Sequence, residues 1–313
     1  LFFIILGVFI LITFSAIEQK KLFLISKYLF FVFFIFLALV PFIGEEVKGS
    51  ARWIDLPMVP RFQPIEILKP FLIIMISTIF TLNYEKHLYF KYLFSLFIII
   101  PVILFLISQP DIGQTILIIL TWFSLIFISG INLLFLFSFF ILTSSVLIYL
   151  ILYVSKFEYI KQRLFSFINP SSGNNYQSER ASEAISNGGF FGQGIGEGTL
   201  NSKVPEAHTD YIISVISEEF GVIIVLLIMI IFLILSYCIL KKTDNESEAK
   251  VKLTLVGIAT IILFQTFIHI GVNIRLLPTT GMTLPFLSYG GSSIISTSIL
   301  AGIILNLTKR KIS

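Results

Sequence analysis

The chain has a single cysteine, Cys238, in 313 residues. No intramolecular disulfide can form, and no cysteine-based metal cluster can be built. Cys238 lies inside an apolar run, where a packed thiol is expected rather than a reactive one. Charge is equally scarce. Asp, Glu, Lys and Arg make up 13% of the residues against 56% hydrophobic, and the mean hydropathy is +0.97. A water-soluble domain of this length does not carry that balance. The net charge of +4 is small and spread over connections. It suits an anionic lipid surface and leaves no compact basic patch for nucleic acid. Zincin spacing, a P-loop and a dinucleotide-binding glycine pattern are all absent. Few ionisable residues interrupt the middle of the apolar runs, which argues against a proton-coupled transporter. The chain opens on Leu1 within an apolar segment, without Met or a charged leader region. It reads as a start that lacks an upstream helix, not as a signal peptide.

What the chain does have is long apolar runs. About nine are long enough to span a bilayer as helices, near residues 1–17, 23–42, 65–82, 92–108, 112–129, 131–153, 211–240, 253–275 and 284–307. The expected fold class is an all-α polytopic membrane protein, 1–313 forming one membrane domain. Lys and Arg gather at 20–27, 86–91, 241–252 and 309–311, which makes that side cytoplasmic. The margin is about twelve against ten once the long loop is counted, so the rule supports this topology without fixing it. Two large connections lie on the opposite side, near 43–64 and 155–210. The second begins with alternating basic and aromatic residues from Lys156 to Phe165, the pattern of a short helix lying in the interface. Gly188, Gly189, Gly192, Gly194, Gly196 and Gly198 then supply flexible backbone ahead of an acidic motif.

That motif, Pro205-Glu206-Ala207-His208-Thr209-Asp210-Tyr211, places a carboxylate beside an apolar run that continues to Leu240. As one helix, 210–240 measures roughly 45 Å, which sets Asp210 about 15 Å above the hydrocarbon core. An acid there can act on the polar head of a lipid. The structural alternative is a helix N-cap, a duty that Thr209 could discharge alone. Glu218 and Glu219 read as ion-pairing partners that steady the top of this helix. Gln63, Glu66 and Lys69 follow at intervals of three, and a Glu66–Lys69 pair would make their entry into the membrane tolerable. Pro70 belongs to the first turn or else kinks the helix. Gln265, His269 and Asn273 form a polar stripe that must face protein or water, and interhelical hydrogen bonding explains it at least as well as substrate contact. The stretch 278–293 carries two Pro, three Gly and several hydroxyls, the composition of irregular backbone buried in protein. Asp111 is most simply the cap of the helix that follows it.

Five motifs in order resemble one family across essentially the whole chain. They are Gly-Ser-Ala-Arg-Trp at 49–53, Gln-Pro-Ile-Glu-Ile-Leu-Lys at 63–69, Gln-Pro-Asp-Ile-Gly at 109–113, Pro-Glu-Ala-His-Thr-Asp at 205–210 and Leu-Pro-Phe-Leu-Ser-Tyr-Gly-Gly-Ser-Ser at 284–293. The chain resembles the SEDS family (shape, elongation, division and sporulation). Within it the resemblance is to the FtsW-like division branch of alphaproteobacterial type, ahead of the RodA-like branch. Ser50, His269 and Arg275 depart from the family pattern. The resemblance implies ten helices, the first missing here, and a large extracytoplasmic loop at 155–210. It implies a peptidoglycan glycosyltransferase acting on lipid II and an undecaprenyl-diphosphate-linked glycan. A class B penicillin-binding protein and other division proteins would be its partners, in the bacterial inner membrane at the septum, with the active site facing the periplasm. Asp210 falls at the catalytic position. Arg52, Trp53, Gln63, Glu66, Lys69, His208, Thr209, Arg275, Ser288, Gly290, Gly291 and Ser292 fall at substrate-binding or supporting positions. A divalent cation, Mg or Mn, near Asp210 stays open, because no ligand spacing establishes a metal site. A lipid II flippase or a non-catalytic scaffold for the transpeptidase is the alternative.

Overall fold

The computed structural model describes residues 1–47, 50–57, 59–82, 90–154, 157–169, 176–200 and 204–309. Gly49, Lys86, Lys156, Arg310 and Lys311, used above for motif or orientation, lie outside the described residues. Each of the nine apolar segments contains helix. Among the described residues six helices are long and apolar enough to cross a membrane by length and composition, and the chain is a multi-pass membrane protein. The residues group into two compact units, 1–130 with 235–262 and 290–313, and 131–234 with 263–289.

The first unit contains α1 (Phe2–Ala16), α2 (Gln19–Ile43), α3 (Pro64–Phe80), α4 (Phe90–Ser108), α5 (Ile112–Ile128) and α11 (Gly291–Thr308). Its centre is α3, which is buried along nearly its whole length and packs against α2, α4, α5 and α11. Pro64 starts the helix at a position where its missing N–H costs nothing. Pro70 lies in the helix interior and so cannot donate to the carbonyl of Glu66. Ser296 of α11 supplies that bond instead, its Oγ donating to Glu66 O at 2.6 Å. Small residues let α1 and α11 approach closely. A Cβ on Gly302 would stand 2.7 Å from Phe14 Cβ, and one on Gly291 2.6 Å from the Phe3 ring. The end of α1 is closed by Asn306, whose amide donates to Phe14 O at 2.9 Å and Ile17 O at 2.6 Å.

Between α2 and α3 the connection is not a plain loop. It folds into a small antiparallel sheet of β1 (Glu45–Val47), β2 (Ser50–Leu56) and β3 (Val59–Phe62), in the order β1-β2-β3. Arg61 of β3 pairs with Glu45 of β1 at 3.2 Å, and its guanidinium lies 5.3 Å from the ring centroid of Trp53.

The second unit holds α6 (Leu133–Tyr153), the amphipathic α7 (Glu158–Ile168), α8 (Tyr176–Gly188), and the adjoining parts of α9 (Ile212–Asp244) and α10 (Ala249–Asn273). Helix α7 meets the expectation of a short helix after 156. Helix α9 departs from the continuous helix on which the 15 Å estimate rested. Gly221, with φ 81° and ψ 170°, breaks it into 212–220 and 222–244. The backbone of 188–194 fills the break like a splice. Gln193 N and Gly194 N donate to Glu218 O (2.8 Å) and Glu219 O (3.1 Å), while Val222 N and Ile223 N donate to Gly189 O (3.0 Å) and Phe190 O (3.4 Å). The orphan carbonyls of one helix end and the orphan amides of the next are thereby satisfied. A side chain at Gly221 is excluded, since its Cβ would lie 2.1 Å from Phe190 O. The last apolar segment also starts later than expected. Residues 284–290 are irregular and α11 begins at Gly291, because Ser288 Oγ is engaged with Leu284 N (2.7 Å) and with Thr209 O (2.6 Å).

Candidate active site

The acidic motif lies in the second unit, in a turn curled around one carbonyl. Glu206, in the left-handed region at φ 56°, accepts at its main-chain oxygen from Thr209 N (3.1 Å), Asp210 N (3.1 Å) and Tyr211 N (3.3 Å). Val204, Ala207 and Tyr211 are buried beneath the turn. His208 is exposed, and Thr209 and Asp210 are half-buried. Three side-chain or main-chain donors from the stretch 273–289 grip consecutive carbonyls of the motif. Tyr289 N donates to His208 O at 2.9 Å, Ser288 Oγ to Thr209 O at 2.6 Å, and Asn273 Nδ2 to Asp210 O at 3.1 Å. The same Asn273 accepts at Oδ1 from Ser214 N (3.2 Å) and Ser214 Oγ (2.7 Å), so it caps the first turn of α9. The expected capping by Thr209 is therefore corrected: its hydroxyl turns back to Glu206, 3.0 Å from Oε2. Burial raises the Tyr211 phenol well above its ordinary range and the Asp210 charge adds to this, while Arg163 opposes it. Arg163 itself donates to Thr279 O at 3.0 Å.

The polar stripe of α10 is turned into the protein, where Asn273 reaches another helix, while Gln265 and His269 hold the irregular stretch 282–283. Gln265 donates to Thr283 O at 2.9 Å, and His269 Nδ1 lies 2.7 Å from Met282 O, so that nitrogen carries the proton. Arg275 ends α10 at φ 58°, with Leu276 N bonded to Gly271 O (2.7 Å) and Arg275 N to Val272 O (3.1 Å). This is a Schellman terminus with arginine at the position that usually takes glycine. Glu218 does not form the expected ion pair. It is buried, and its Oε1 accepts from Asn187 Nδ2 and Leu200 N, both at 2.9 Å.

The first unit carries a second polar cluster. Lys69 Nζ and Glu66 Oε2 are 2.9 Å apart and both residues are buried, as the spacing predicted. Gln114 of α5 donates to Glu66 Oε1. Asp111 caps α5 through Gln114 N at 3.4 Å and also accepts from Gln63 Nε2 at 3.0 Å. Arg52 of β2 lies 3.8 Å from Asp111, with Nε on Gln109 O at 3.2 Å and Nη2 on Pro110 O. Burial pushes the Asp111 carboxyl above its ordinary range, against the pull of the Arg52 guanidinium. Ser292 Oγ accepts from Gln63 N at 2.8 Å, and Gly290 is the N-cap of α11. Trp53 stands apart from this cluster, stacked against Arg61.

Of the residues singled out in the sequence, His208, Thr209, Asp210, Arg275 and Ser288 therefore belong to one unit. Arg52, Trp53, Gln63, Glu66, Lys69, Gly290, Gly291 and Ser292 belong to the other. Sequence reasoning missed Ser214, Ser296, Gln114 and the capping role of Asn273. Among the described residues no group of three or more His, Cys, Asp or Glu could hold a metal ion. A cation held by protein ligands alone does not fit the residues around Asp210.

These features define a polytopic helical membrane protein with a half-buried acid on a clamped turn at the end of a membrane helix. The sequence model of FtsW, RodA and SpoVE, described as cell cycle proteins, matches residues 1–312, and the chain belongs to this family, the SEDS proteins. The FtsW of Caulobacter vibrioides is 32% identical over 285 residues, 89% of this chain and 72% of that protein. The FtsW of Coxiella burnetii is 35% identical over 294 residues, 90% and 78% of the two chains. Both are named probable peptidoglycan glycosyltransferases. Among solved structures, Thermus thermophilus RodA, a rod shape determining protein, superposes with a TM-score of 0.69 at 25% identity, over 98% of this chain and 84% of that one. A chain from a peptidoglycan synthase complex that coordinates polymerization and crosslinking shares the fold, with a TM-score of 0.81 at 24% identity over 97% and 86%.

Proposed function

We propose that the protein is a peptidoglycan glycosyltransferase that polymerises lipid II into β-1,4 glycan strands, with Asp210 as general base. The observation that carries this reading is how the acid is held. Three consecutive carbonyls, of His208, Thr209 and Asp210, are fixed by donors from 273–289, so the carboxylate is positioned through its main chain. A base held in place in advance is what a weakly nucleophilic sugar hydroxyl requires. The names of the relatives support the same activity.

In this mechanism the 4-hydroxyl of the acceptor N-acetylglucosamine attacks C1 of the donor N-acetylmuramic acid. Asp210 takes the hydroxyl proton, the C1–oxygen bond to the diphosphate breaks, and the α-linked centre inverts to β. Diphosphate is a good leaving group and needs charge stabilisation more than a proton. Arg52 and Lys69 are poor candidates for that task, since Asp111 and Glu66 already face them in a buried cluster. Arg275, half-buried at a helix terminus in the same unit as Asp210, is the better one. We assign a class B penicillin-binding protein as the partner, and the periplasmic face of the inner membrane at the septum as the place.

The test is polymerisation of labelled lipid II by the purified protein with its transpeptidase partner, read as glycan ladders. Asp210→Asn and Asp210→Ala should lose about 10² to 10⁴ in rate or more, while inserting normally and binding the partner. Near wild-type polymerisation by Asp210→Ala would remove the acid from the mechanism.

A further inference from the structure

The splice at Gly221 fixes the depth of an unusual surface. Val222 and Ile223 begin the half of α9 that continues into an apolar membrane span, and their amides bond to Gly189 O and Phe190 O. The tip of the splice therefore lies beside the first residues of the uncharged run from Val222 to Leu240. Four main-chain hydrogen bonds hold it there, and the approach leaves no room for a side chain, since a Cβ at Gly192 would meet Glu219 O at 2.2 Å and one at Gly221 would meet Phe190 O at 2.1 Å.

This tip carries no charged side chain from Gly188 to Gly196. It presents Phe190 at 73%, Phe191 at 84% and Ile195 at 79% exposure. Two phenylalanines and an isoleucine left open to water would be costly. Their surface continues the apolar face of α9 through Ile223, then Leu226 and Leu227 one turn further on, all exposed. A surface continuous with a lipid-facing helix, at the level where the span begins, matches the chemistry of the bilayer interface.

We propose that Phe190, Phe191 and Ile195 are a membrane anchor, seated among lipids at the head-group boundary beside the N-terminal end of 222–244. The anchor holds the backbone splice at a set depth, and with it the carbonyl ends of the 212–220 helix that follows the acidic turn. It does not depend on the reaction assigned to Asp210.

Depth-resolved quenching tests this. The full chain with Cys238→Ser receives Phe191→Cys, or in a second protein Ile195→Cys, labelled with an environment-sensitive nitrobenzoxadiazole dye. A Ser186→Cys reference reports an exposed site on α8. Each is placed without partner in phosphatidylcholine–phosphatidylglycerol nanodiscs. Relative to the reference, positions 191 and 195 should be quenched at least about twofold more by lipid spin-labelled near the head group, and at least about twofold less by aqueous iodide. Iodide quenching equal to the reference overturns the anchor. Shielding from both quenchers also overturns it, because the occupant would then be protein, either a second copy or another part of this chain.

Discussion

Glu66 and Lys69 can be tested most sharply, because both carboxylate oxygens have a named partner. Glu66 takes Lys69 at one oxygen and Gln114 at the other, and its carbonyl is held by Ser296 where Pro70 cannot donate. Truncating either charged residue to Ala strands the other charge in a buried site. That loss is about 3–5 kcal/mol, or roughly two to three and a half decades in the folding equilibrium. At about 2.1 cal/mol/K of unfolding entropy per residue, each kcal/mol moves the thermal midpoint of a 313-residue chain by about 1.5 °C, so each single substitution should lower the midpoint by at least about 4 °C. The midpoint is read in detergent from the monodisperse fraction that survives heating. The double Ala variant should cost less than the sum of the two single ones. The exchange Glu66→Lys with Lys69→Glu should recover much of the stability. Gln114 Oε1 is buried without a hydrogen-bond partner, so an amide rotation would turn this acceptor toward the new cation. Simple additivity of the two Ala costs would refute the pairing. Failure of the exchange, with strong coupling in the Ala cycle, would show that the pair is real but that its orientation is fixed by Gln114.

The remaining predictions address separate parts of the molecule. Arg275→Gly should raise stability by about 1 kcal/mol, because glycine adopts the left-handed terminus without penalty, yet should lower polymerisation if the guanidinium stabilises the diphosphate; a variant both more stable and fully active would confine Arg275 to its helix end. Asp111 has a folded pKa raised from its ordinary 3.8, so stability is fully present below the unfolded pKa and falls as pH rises through the folded one. The midpoint should fall more steeply upward from about pH 4 in the wild type than in Asp111→Asn; parallel curves would refute this. Cysteines placed singly at Ser186 and Ser247 in a Cys238→Ser chain should label oppositely with a membrane-impermeant thiol reagent, Ser186→Cys in intact spheroplasts and Ser247→Cys only after lysis. The reverse pattern would put the acidic turn in the cytoplasm and sink polymerisation at the outer face.

What could be read from the sequence divides along a physical line. Helices, and pairs of residues set by helical spacing, were visible because their geometry is local. Nine apolar runs became nine helices, Glu66 met Lys69 at i,i+3, and Asp111 capped the helix that follows it. The sheet within 45–62 has only a weak local signal, since Ser50–Leu56 carries one aromatic residue, Trp53, and one β-branched residue, Ile54. The break at Gly221 had no such signal. A lone glycine in an apolar run reads as tolerated, and the groups that complete the break come from about thirty residues upstream. The grip on 208–210 was hidden for a deeper reason. Its acceptors are carbonyl oxygens, which every residue possesses, so no residue type marks where they will be used. Only the two side-chain donors are marked, as Asn273 and Ser288, and their targets lie 63 and 79 residues away in the chain. A site fixed through its main chain leaves its acid conspicuous in the sequence while the groups that position it pass as ordinary packing.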